Sequence, residues 1–146
     1  MSRLSLTAAA VVATLALPLT ALGAERATAP QYRAQANAIC AKEEKTLQAL
    51  PSSITLPGYL VEAVKIAHTA FDSLASLVPP PALSRLHAEV IANIEAGFPI
   101  VKILVARAKA GKLTIPQFED YPALVANAAK ENALWKKLGA NTCVSV

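Results

Sequence analysis

Apolar residues recur every three or four positions along four stretches of the chain, separated by short polar or proline-rich breaks. In the first, Tyr32, Ala36, Ile39, Cys40, Leu47 and Leu50 share one helical face, and the pattern ends before Pro51. In the second, Leu60, Val64, Ala67, Phe71, Leu74 and Val78 do the same until Pro79, Pro80 and Pro81 stop it. The third runs through Leu83, Leu86, Val90, Ile94, Phe98, Val101, Leu104 and Ala108 to Gly111, which suits a left-handed helix stop. The fourth carries Phe118, Tyr121, Val125, Ala128, Trp135 and Leu138 and ends at Gly139. This is the period of an amphipathic helix, and none of the four shows the alternation of a strand.

Three of these stretches open on the same local signal. Thr28-Ala29-Pro30-Gln31, Thr55-Leu56-Pro57-Gly58 and Thr114-Ile115-Pro116-Gln117 each offer a threonine hydroxyl to the free amides of a first helical turn, followed by a proline that has no amide to leave unpaired. In two of them glutamine stands three residues after threonine, the spacing of a capping box. Arg107, Lys109 and Lys112 at the end of the third stretch, and Glu119 and Asp120 in the first turn of the fourth, complement the helix dipole. Short connections between such segments predict an all-α fold, an up-and-down four-helix bundle. Pro99 cannot donate to the carbonyl of Glu95, so the long third helix is expected to be kinked or split there, and Pro122 to act similarly near the start of the fourth.

The beginning of the chain does not fit this pattern. Arg3 precedes a nearly unbroken apolar run from Leu4 to Leu22, interrupted by Pro18 and followed by Gly23 and Ala24, the layout of a secretory signal. An apolar run of about 18 or more residues can also serve as a membrane anchor. Pro18 and the small residues favour cleavage near Gly23 or Ala24, so residues 1–24 are read as a signal peptide and 25–146 as a single helical domain, secreted or otherwise extracytoplasmic. The membrane then matters only through the signal segment before cleavage. The net charge of +4 is modest, and Arg3 carries one unit of it, which gives no support to nucleic-acid binding.

Export changes the meaning of the two cysteines. In an oxidising compartment an even count favours a disulfide, here Cys40 to Cys143. The bond would close a loop of about 100 residues and remove roughly 4 to 5 kcal/mol of unfolded-state freedom. Cys40 lies about 15 to 18 Å into its helix, so the tail after Gly139 must fold back along that helix to reach it. Other roles for Cys40 lack their partners: "CAKEEK" has neither the second cysteine nor the histidine of a haem attachment motif.

Catalytic and metal chemistry find little to stand on. Glu-x-x-His pairs, glycine-rich phosphate loops and serine elbows are absent, so no catalytic residue, metal or cofactor is assigned. His68 and His87 would stand about 7 to 8 Å apart in height across an antiparallel hairpin, too far to share one metal ion. A haem held between them remains an alternative. His68 and Asp72 are four residues apart and can pair on one helical face, the only basis for a hydrolase-like reading. Glu43 and Glu44 read as a solvated face.

Taken with these motifs, Ala36 to Cys40 ("ANAIC"), "LVPPPALSRLHAEV" and "KKLGANTC" make the chain resemble a loose group of small, secreted, functionally uncharacterised helical proteins of actinobacterial type. The resemblance implies export and the Cys40 to Cys143 bond, and it implies no activity, substrate or cofactor. The expected function is a secreted, disulfide-clamped, non-catalytic binding or cell-envelope-associated protein, whose partner is an envelope component or another protein. The alternative is a carrier of an apolar or haem-like ligand, with Phe98, Tyr121 and Trp135, and the marginal histidines His68 and His87, as candidate lining.

Overall fold

The computed structural model of the chain describes residues 27–144, and the leader expected over residues 1–24 lies outside them. Four long helices and one short one account for most of this span: α1 (Ala29–Gln48), α2 (Leu56–Ala75), α3 (Ser84–Lys109), α4 (Ile115–Glu119) and α5 (Pro122–Leu138). Single 3-10 turns at Pro81–Leu83 and Asn141–Cys143 precede α3 and close the chain, and no strand occurs among the described residues. None of the described helices is long and apolar enough to cross a membrane.

The threonine-proline signals act as expected. Thr28, Thr55 and Thr114 are the N-caps of α1, α2 and α4, each hydroxyl accepting from the amide three residues on, and Gln31 and Gln117 complete capping boxes. Gly111 and Gly139 take the left-handed conformation at φ 67° and 76°.

Of the two prolines expected to kink or split their helices, Pro122 splits the fourth stretch and Pro99 does not split the third. Helix α3 is not split at Pro99 but runs unbroken through it. Both Pro99 and Glu95 face solvent, so water can take the hydrogen bond that the carbonyl of Glu95 loses. The fourth stretch, by contrast, is two helices. Pro122 disfavours helical geometry in Tyr121, which is extended at ψ 112°, so α4 stops and Pro122 becomes the first residue of α5. Glu119 and Asp120 therefore sit at the end of α4, and α5 has no acidic residue in its first turn. Val78 falls beyond α2 and Val125 turns outward, at 61% and 49% exposed.

Helix α2 packs on α1 and α3, and α3 packs on α5, while the closing turn rests on both α1 and α5. Two separate clusters form the core. One joins Tyr32 and Ala36 of α1, Leu74 of α2, Val90 of α3 and Leu134, Trp135 and Leu138 of α5. The other joins Leu60, Leu104, Ala108 and Leu113, flanked by Phe118, Tyr121 and Leu124, and takes no residue from α1.

The disulfide fastens the first cluster. Cys40 and Cys143 are bonded, with Cα atoms 5.1 Å apart. The tail reaches this position because Gly139 reverses the chain after α5, Arg33 Nε donates to the Leu138 carbonyl (2.7 Å) and the Thr142 amide donates to Asn37 Oδ1 (3.0 Å). Beside it the Tyr32 hydroxyl and His87 Nδ1 are hydrogen-bonded at 2.6 Å.

Candidate functional site

Between the two clusters lies a cavity of about 590 Å³, walled by α1, α2, α3 and α5 and ended by the disulfide and the tail. Its origin is visible in the side chains that the helices direct inward. Helix α2 contributes Ala63, Ala67 and Ala70 next to Val64 and Phe71, α3 contributes Gly97 with Ile94, Phe98 and Val101, and α5 contributes Ala128. Small residues occupy positions where a filled core would carry leucine. Protein interiors leave few voids larger than a water molecule, so a chamber of this size reflects the choice of those residues.

Helix α1 opens the chamber to one side. Its stripe of inward positions runs 32, 36, 40, 43, 47, in steps of four, four, three and four, so the core-facing residue after Cys40 is Glu43. Glu43 is half-buried at the cavity wall, which corrects its assignment to a solvated face; Glu44 is exposed as expected, although it too borders the cavity. A carboxylate in that position has nothing apolar to pack, and α1 makes its main contacts with α2 and the closing turn rather than with α5.

Across from it, α5 supplies Glu131, also half-buried on the wall and bonded by Trp135 Nε1 at 3.1 Å. Burial pushes the Glu43 carboxyl up to about 7, and the charge of Glu131 adds to the effect. Burial raises Glu131 as well, partly offset by the hydrogen bond from Trp135. Among the described residues no arginine, lysine or histidine lines this cavity.

Two further polar groups brace the wall. Asn93 Nδ2 donates to the Asn127 carbonyl (3.2 Å) and Asn127 Nδ2 donates to the Asn93 carbonyl (3.0 Å), tying α3 to α5. Gly97 permits this approach, since a Cβ there would meet Asn127 Oδ1 at 3.0 Å. No family model matches the sequence, and no curated protein and no solved structure matches it either.

The residues singled out from sequence separate into groups. Phe98 and Trp135 line the cavity. Phe98 is held edge-on by Phe71 (ring centroids 5.3 Å) and stacked from outside by exposed His68 (3.9 Å). No hydrogen bond or ion pair joins His68 to Asp72. Tyr121 lies apart, against the second cluster and under the Arg107 guanidinium at 5.9 Å. His87 is at the clamped end, its imidazole pKa lowered by burial, while burial raises the Tyr32 phenol to about 12. The two histidines thus occupy different surroundings, and neither lines the cavity. Among the described residues no group of three His, Cys, Asp or Glu is placed to hold a metal ion.

Glu43, Glu131 and the Asn93 and Asn127 pair escaped the sequence reading. The signal that finds them is register arithmetic: each falls on the inward stripe of its helix, three or four residues from a core position, where a polar side chain is the exception.

Proposed function

We propose that the protein is an exported, non-catalytic binding protein in which an up-and-down four-helix bundle, open between α1 and α5, holds an apolar small molecule in its central cavity. One observation carries this reading: a cavity of about 590 Å³ with predominantly apolar walls, inside the range of about 300 to 1,000 Å³ usual for small-molecule sites. It favours the carrier alternative over a purely surface-binding or envelope-attached protein. Haem is not the preferred cargo, because His68 and His87 stand outside the cavity walls. Export, with cleavage near Gly23 or Ala24, and kinship with the small secreted helical proteins belong to the same proposal; the Cys40 to Cys143 bond supports export, since such bonds persist in oxidising compartments.

Native mass spectrometry of the processed chain with dodecanol, an uncharged alkyl probe, tests the binding claim. A one-to-one adduct that is lost when Ala67 and Ala128 are both replaced by leucine supports it; absence of any adduct, or an adduct indifferent to those replacements, refutes it. Amino-terminal sequencing of protein recovered from culture medium tests the processing claim, and a chain still beginning at Met1 would overturn it.

A further inference from the structure

The chemistry of the cavity wall narrows the ligand. Of its charged side chains, Glu43 and Glu44 come from α1 and Glu131 from α5; α2 adds the titratable phenol of Tyr59, and α3, α4 and the tail add no ionisable group. This acidic lining sits inside a chain whose net charge is +4. Glu43 and Glu131 are half-buried and face one chamber, and no described cation lines it; the two ion pairs among the described residues, Glu62 with Lys65 and Arg85 with Glu89, lie elsewhere on the surface. Trp135 Nε1 holds the Glu131 carboxylate in place.

We infer that the ligand is an amphipathic amine, its hydrocarbon part filling the apolar chamber and its protonated nitrogen seated between the carboxylates of Glu43 and Glu131. This rests on the cavity reading given above and extends it. The fit is one of complementary charge in a partly desolvated site, where an ammonium relieves the repulsion between two facing carboxylates. A fatty acid of the same length would bring a third negative charge into the same place.

A cation bound there also lowers the protonation of both carboxyls, so uptake near neutral pH must release protons. Glu43, raised to about 7, is the main source.

Dodecylamine, dodecanol and dodecanoate share a chain length and differ in head-group charge. Titrated against the processed protein, with the fluorescence of Trp135, the sole tryptophan, as readout, the amine should bind about tenfold more tightly than the alcohol, and the fatty acid most weakly. Replacing Glu43 and Glu131 together by glutamine, which keeps an acceptor for Trp135, should remove the amine's advantage over the alcohol. On the unaltered protein, amine affinity should fall from pH 8 to about pH 5 as the carboxyls protonate, and the binding heat near pH 7 should vary with buffer ionisation enthalpy. Dodecanoate binding as well as dodecylamine, or amine affinity indifferent to both pH and the glutamines, would overturn the cation assignment while sparing the cavity. Failure of all three probes would overturn the cavity reading and the assignment with it.

Discussion

Around Tyr32 and Trp135 the four long helices interlock, and both rings are almost fully removed from solvent, at 0% and 1% exposed. A few turns further along α1, at Glu43 and Leu47, the same helix faces a chamber lined by alanines, a glycine and a second carboxylate. The polar groups follow the same division. At the clamped end a phenol and an imidazole satisfy each other, whereas in the chamber two carboxylates of like charge face the same space. The contrast teaches how a small helical domain can hold an open site: stability is concentrated at one end, where a covalent bond and large side chains fasten α1, so that the rest of α1 can stay away from α5.

The largest effect should come from undoing the fastening. Replacing Cys40 and Cys143 by serine, or reducing the bond, should cost roughly 4 to 5 kcal/mol for a loop of this length, measured as a shift in urea denaturation between oxidised and reduced protein. A loss under about 1 kcal/mol would mean that the clamp does not set the clamped end apart. Next in size, Leu138→Ala in the closed cluster should cost about 2 to 5 kcal/mol by the same assay. Leu47→Ala on the chamber wall should cost about 1 kcal/mol or less, because its side chain fills no closed space. Equal losses would erase the distinction.

Enlarging side chains probes the contrast from the other direction. Ala36→Leu must push into a site that is 0% exposed and should destabilise by about 1 to 3 kcal/mol. Ala128→Leu extends into the cavity and should leave stability within about 0.5 kcal/mol while weakening dodecanol binding.

The smallest effect is a difference in sign. Glu43, raised on folding to about 7, contributes stability that is present below its ordinary value near 4.5 and is lost as pH rises through about 7. His87, lowered on folding, contributes stability that is present above its ordinary value near 6.5 and is lost as pH falls through its folded value. Thermal melting against pH should therefore respond oppositely to two substitutions: Glu43→Gln removes the decline toward pH 7, and His87→Asn removes the decline on acidification. The same direction of change for both would show that the two ends do not titrate independently.

Much of the helix layout was legible because its signals are local. A threonine hydroxyl and a proline act on amides within one turn, so Thr28, Thr55 and Thr114 could be read as caps without any knowledge of neighbours. The cysteine pair was legible for a different reason, as the chain has two cysteines and one pairing is all they allow. Pro99 does not split α3, and sequence could not decide this because its cost depends on whether the carbonyl it deprives faces water. The break at Pro122 was legible too, because proline restricts the residue before it, whereas Glu119 and Asp120 were misplaced because apolar spacing persists across that break.

Glu43 shows most clearly what sequence could not decide. Its place on the α1 stripe is a matter of counting, yet counting also permits a helix rotated or tilted so that the carboxylate meets solvent. The amino-acid sequence by itself determined where most of the helices begin and end and which two cysteines join. Only the tertiary structure decided that α1 makes its main contacts away from α5, that small residues on α2, α3 and α5 face one another across an unfilled space, and that Glu43 and Glu131 lie half-buried on its wall. Those features depend on how far apart whole helices come to rest, and that distance is set by all their contacts together rather than by any short stretch of chain.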